Sequence, residues 1–199
     1  RLVGSEMCIR DSVKEQCAEH GVKCTLRNVK YLRLTGNIKC SGYFDGGDKP
    51  ELVVAMNRKD WIEILVHEYC HLTQWVERIP LWKRSETSLD KVDAWLSGEK
   101  VSNIGRHLGV ARDLELDNEK RAVALIKEWG LKVDVDNYIR KANAYVQFYN
   151  YMGISRRWSK PGNSPYSNKN LISEMPNKFN MNYDKMSKKV EKVFIKEQI

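Results

Sequence analysis

"EILVHEYCHLTQW", residues 63–75, decides how this chain is read. Ile64, Leu65, Leu72 and Trp75, with Trp61 and Val76 just outside, recur at helical spacing and form an apolar stripe. Asn57 or Asp60 can cap the start and Pro80 lies beyond the end, so the pattern predicts a helix over 60–77. Within it His67 and His71 are four residues apart and stand one above the other on one face. Two imidazoles so placed can aim nitrogens at a single point roughly 2.0–2.1 Å away, the bond length zinc requires. Glu68 is the next residue round, reaches the same side, and is placed to take a proton from a water at the metal without ligating it. Polar groups at the inner edge of a core must be satisfied, and one ion satisfies both rings. The competing explanation is a chance HExxH on a solvated face, expected in on the order of one chain in a few hundred of this length. The capping signal and the apolar strand just upstream argue against accident. Tyr69 and Cys70 read as filler, Cys70 as a small buried hydrophobe rather than a ligand.

Working outward, "ELVVAM" (51–56) reads as a strand feeding this helix, and "NIKCSGYFD" (37–45) and residues 22–34 read as further strands. The turn-rich "GGDKP" joins 37–45 to 51–56, which suggests a hairpin meander. Helical spacing covers 13–21 up to Gly21, 85–98 up to Gly98, 111–130 up to Gly130, and 134–153 capped by Asp134 or Asp136. Residues 154–176 read as a long loop and 181–197 as a last helix. Strands first and helices after imply an α+β fold, a small, mostly antiparallel sheet followed by a helical bundle. Residues 13–153 would form the domain, with the loop and basic C-terminal helix of 154–199 packing on it or extending from it. Either "CSGYFD" or "ELVVAM" could take an extended peptide by strand addition.

Composition narrows the class. At 199 residues, 42% hydrophobic and 30% charged, the chain suits one globular domain with a sizeable core. It contains no run of about 18 apolar residues that would span a membrane. Its five cysteines form no paired framework and no CxxC, which fits a reducing, cytoplasmic setting. The net charge of +8 gathers in "SRRWSK" (155–160) and in the tail after Pro176. Attraction to nucleic acid is one reading of it, and a solvated face is the favoured one. The opening "RLVGSEMCIRDS" (1–12) resembles translated sequencing-adapter text from assembled metagenomic reading frames and is set aside from fold reasoning.

With HExxH in place, the chain resembles the zincin metallopeptidases, in which both histidines bind zinc and the glutamate polarises the attacking water. The long-motif subgroup needs Gly at 74 and His at 77, where this chain has Gln74 and Glu77. The resemblance therefore implies a gluzincin-like third ligand, a glutamate on a later helix. The 111–130 segment supplies Asp113, Glu115, Asp117 and Glu119, and Glu115 and Glu119 share a face with Ala122, Ile126 and Trp129. "EKRA" at 119–122 is similar to the second gluzincin motif, and the ImmA/IrrE-type regulatory peptidases are the nearest pattern. Where that family carries an aromatic–alanine pair, this chain has Val123–Ala124. The resemblance thus implies Zn2+ on His67, His71 and Glu119, with Glu115 as the second candidate and Glu68 as general base. One of the two glutamates could instead orient a histidine from behind. His107 is the other possible ligand, and Tyr145 or Tyr149 could donate to an oxyanion, although an aromatic core stripe explains them too. The expected activity is peptide hydrolysis. The alternatives are a basic, metal-stabilised module that binds nucleic acid or a regulator without proteolysis, and a mobile-element protein whose site has decayed.

Overall fold

A computed structural model describes residues 6–34, 39–160 and 162–199. The first five residues of the adapter-like opening, the first two of the strand expected at 37–45, and Pro161 lie outside the described residues. The fold is α+β. Helix α1 (Glu6–Glu19) leads into strands β1 (Lys23–Arg27), β2 (Leu32–Arg33), β3 (Lys39–Cys40), β4 (Gly42–Asp45) and β5 (Glu51–Ala55). Six helices follow: α2 (Trp61–Val76), α3 (Pro80–Leu96), α4 (Ile104–Glu128), α5 (Val135–Ser155), α6 (Lys169–Ser173) and α7 (Lys188–Lys196). Among the described residues, no helix is long and apolar enough to cross a membrane. The chain divides into two compact units, Arg1–Ile79 with Arg121–Val133, and Pro80–Lys120 with Asp134–Ile199.

The first unit is built on a three-stranded sheet of order β1-β5-β4, beside a two-stranded β2-β3 ribbon. β4 pairs antiparallel with β5, Gly42 opposite Val54 and Asp45 opposite Glu51, as adjacent hairpin strands do. β1 pairs with β5 in parallel, Lys23 opposite Glu51 and Arg27 opposite Ala55. The sheet is therefore mixed, which corrects the expectation of a mostly antiparallel meander. A parallel pair needs a crossover, here the β2–β4 segment, and local turn signals carry no information about such a partner. β5 is central and covered on both faces, which explains its unbroken apolar run. Leu52 and Val54 face a core shared with Ile62, Leu65, Tyr69 and Leu72 of α2, while Val53 and Ala55 pack with Leu32, Cys40 and Tyr43. Ile9, within the adapter-like opening, is buried in the first of these cores with Val13 and Cys17. Leu125 and Trp129, near the C-terminal end of α4, pack against that core as well.

α2 forms where expected, but its start differs in detail. Asp60 stands at the N-cap without making a side-chain cap bond, because Arg58 takes both of its oxygens at 2.8 Å. Pro80 opens α3, where its missing N–H costs nothing, so this helix starts five residues before the expected 85.

The second unit is helical, around a core that includes Val92, Leu108, Phe148, Met152, Leu171 and Phe194. α5 is capped by Asp134, which accepts from the Asn137 amide at 3.0 Å. It runs through Gly153 and stops at Arg156, in the left-handed region at φ 49°. Further on, the irregular stretch after α6 is held by an amide ladder on α5. Asn143 donates to the carbonyls of Pro176 and Lys178, Gln147 to Asn182, and Asn150 to Tyr183. The ladder supplies partners to backbone carbonyls that have no helix or strand to pair with. The last helix covers only 188–196, because Ser187 provides its cap.

Candidate metal centre

The motif helix presents its polar groups as the spacing requires. The His67 and His71 rings lie 4.8 Å apart between centroids and nearly perpendicular, at 85°. His71 Nδ1 lies 2.9 Å from the Oε1 of Gln74, which is wholly buried. An amide oxygen only accepts, so Nδ1 is the donor in this contact, and in the neutral ring the lone pair is then on Nε2. Gln74 therefore sets the tautomer and orientation of His71 in the way that groups behind a metal ligand do. The sequence reading used Gln74 only to exclude a third histidine. Its signal was its place three residues after His71, on the same face of the helix.

Glu68 is 8% exposed and lies under the start of β4. A Cβ built on Gly42 would stand 3.1 Å from Glu68 Oε1. The carboxylate also acts on Cys40, whose thiol is pushed up to about 11 by burial first and by the Glu68 charge second. Tyr69 and Cys70 are buried, as their reading as filler predicts.

The two candidate glutamates on α4 have different surroundings. Glu119 is fully buried, and each of its oxygens accepts from a phenol: Oε2 from Tyr138 at 2.6 Å, Oε1 from Tyr166. Tyr166 comes from the long 154–176 loop and stacks on Tyr145, with centroids 4.4 Å apart. The Tyr145 and Tyr149 hydroxyls lie 3.2 Å apart, within the field of the Glu115 carboxylate. Burial first, then the charge of Glu115, holds both hydroxyls well above the usual tyrosine range. Tyr166 is raised likewise, by burial and then by Glu119. These phenols therefore stay protonated, and Tyr166 donates to Glu119.

His67, His71 and Glu115 each offer a ligand atom, and the three atoms all lie within 4.8 Å of one another, a group that could hold a metal ion. Among the described residues Glu119, the first expectation from the motif, is not in that group. It lies one turn further along α4, with its oxygens on Tyr138 and Tyr166. His107 is not in the group either; its Nδ1 is 3.2 Å from Ser88 Oγ. Asp113 is held by Arg112, which also bonds Asp184 and Asn150. No family model, curated protein or solved structure matches this chain.

Proposed function

We propose that this chain is a zinc-dependent metallopeptidase of the zincin type. His67, His71 and Glu115 would hold the ion and Glu68 would be the general base. The observation that carries the reading is the convergence of two imidazoles and one carboxylate, with a second glutamate, Glu68, next in sequence to His67. Two nitrogens and one oxygen form the donor set of a zinc site that keeps a position open, as catalytic sites do and closed structural sites do not. When bound there, zinc supplies Lewis acidity towards a peptide carbonyl.

The chain's own residues do the rest. Gln74 orients the His71 ring through Nδ1. Glu68 takes the proton of the attacking water and returns it to the leaving amine. Glu119, held between Tyr138 and Tyr166, braces the α4 turn beside the ligand rather than completing the donor set. Substrate would lie along β4, whose outer edge is unpaired among the described residues, by strand addition. The other strand considered, β5, has both edges taken, by β1 and β4.

The test is cleavage of dye-labelled casein by protein as purified, after chelation, and after return of zinc. Activity lost on chelation and restored by one equivalent of zinc supports the reading. Cleavage that survives complete removal of metal contradicts it.

A further inference from the structure

We propose that Gly42 is a positioning residue for Glu68: its missing side chain is the space in which the carboxylate is held. The proposal rests on the reading of Glu68 as general base. Gly42 opens β4 and pairs with Val54, and it is not among the glycines with positive φ. Its backbone therefore does not require glycine, and a glycine within a strand is otherwise destabilising. What requires it is proximity. A Cβ at this position would stand 2.7 Å from Ile64 Cγ2, 3.0 Å from Glu68 Cγ and 3.1 Å from Glu68 Oε1.

Ile64 and Glu68 are successive turns of one face of α2, so the strand end lies directly over the base. All three crowded atoms belong to side chains. A methyl at 42 would be accommodated by moving them, and one of the groups that moves is the carboxylate. Cys40, two residues earlier, also feels the Glu68 charge. The glycine thus lets the strand approach closely enough to confine the base.

A control lies just past the end of the strand. Gly46 lies four residues on, beyond β4, and a Cβ there would stand 2.6 Å from Cδ1 and Nε1 of Trp75. It permits the same close approach to α2 without touching Glu68. A general loss of packing would affect both glycines alike, and loss of the base's position would affect Gly42 alone.

The experiment compares wild type, Gly42→Ala, Gly42→Val and Gly46→Ala, each loaded with zinc. Four quantities are read: casein turnover, zinc per chain, urea midpoint and a crystal structure. Gly42→Ala is expected to lower kcat roughly tenfold and Gly42→Val roughly a hundredfold, the effect of a sub-ångström to ångström misplacement. KM should change by less than about twofold, since an interaction used only in the transition state is lost. Zinc stays at one per chain in both, and the Glu68 carboxylate is displaced in the crystal. Gly46→Ala loses as much stability but keeps the carboxylate in place and kcat within about threefold of wild type. Equal losses of kcat at 42 and 46, or an unmoved Glu68 in Gly42→Ala, would overturn the proposal. If the wild type cleaves no casein, the peptidase reading fails at that arm, while the carboxylate positions in the two alanine variants still decide the role of Gly42.

Discussion

Glu68 and Glu119 are both buried carboxylates on long helices, and their surroundings differ. Glu119 is enclosed by donors, with a phenol on each oxygen. Glu68 is enclosed by an absence, the side chain that Gly42 does not have. A donor on each oxygen stabilises a fixed anion, which suits a brace. A carboxylate confined by the close approach of a strand is held in one place, which suits a group that must accept a proton and release it. Two buried acids are thus fixed by different means, one by paired phenols and the other by the close approach of a strand.

The largest expected effect on this comparison is at Glu68. Glu68→Gln keeps the shape of the side chain and removes its basicity, so casein turnover should fall by about 10²–10⁴-fold with zinc content unchanged. Turnover within a few-fold of wild type would mean that Glu68 is no more a working acid than Glu119. Next comes the brace. Tyr138→Phe and Tyr166→Phe each leave an oxygen of a buried carboxylate without its donor, at a cost of about 1–3 kcal/mol read from urea unfolding. A phenylalanine variant as stable as wild type would remove the contrast from that side.

A smaller effect is read at Cys40. Its thiol is raised from 9.0 to about 11, so it should alkylate slowly at pH 9, where an unperturbed thiol is half ionised. The Glu68 charge is the second cause after burial, so Glu68→Gln should lower that value. Residue-resolved mass spectrometry of alkylation against pH then moves to lower pH for Cys40 and stays put for exposed Cys8. The sign follows from linkage. A raised thiol favours the folded state below the unfolded value, and that contribution fades as pH rises from about 9 to about 11. The smallest effect is at Arg121, whose pairing with Glu77 at 2.8 Å is partly solvent-exposed. Arg121→Ala should cost no more than about 1 kcal/mol, and less at high salt.

How much of this was legible in the sequence follows the range of the interactions. The His67–Glu68–His71 face is a matter of helical period and could be read directly, as could the Asp134 cap and the stop at Gly130. Helix starts were harder. Pro80 reads equally well as an end or a beginning, and α4 starts at Ile104, seven residues before the expected 111. The parallel pairing of β1 with β5 and the approach of β4 to α2 join residues far apart in sequence, which no local pattern encodes. Tyr166 was invisible for the same reason. It sits in a stretch read as loop, 47 residues from the carboxylate it bonds, and only the fold brings it there.

Metal content tests the central claim most directly. Purified wild type, His71→Ala, Glu115→Ala and Glu119→Gln are each analysed for zinc per chain by mass spectrometry. The account predicts about one zinc in wild type and in Glu119→Gln, and little in His71→Ala and Glu115→Ala, since losing one of three ligands removes most of the affinity. Wild type without metal, or zinc retained when Glu115 is lost but not when Glu119 is replaced, would contradict it.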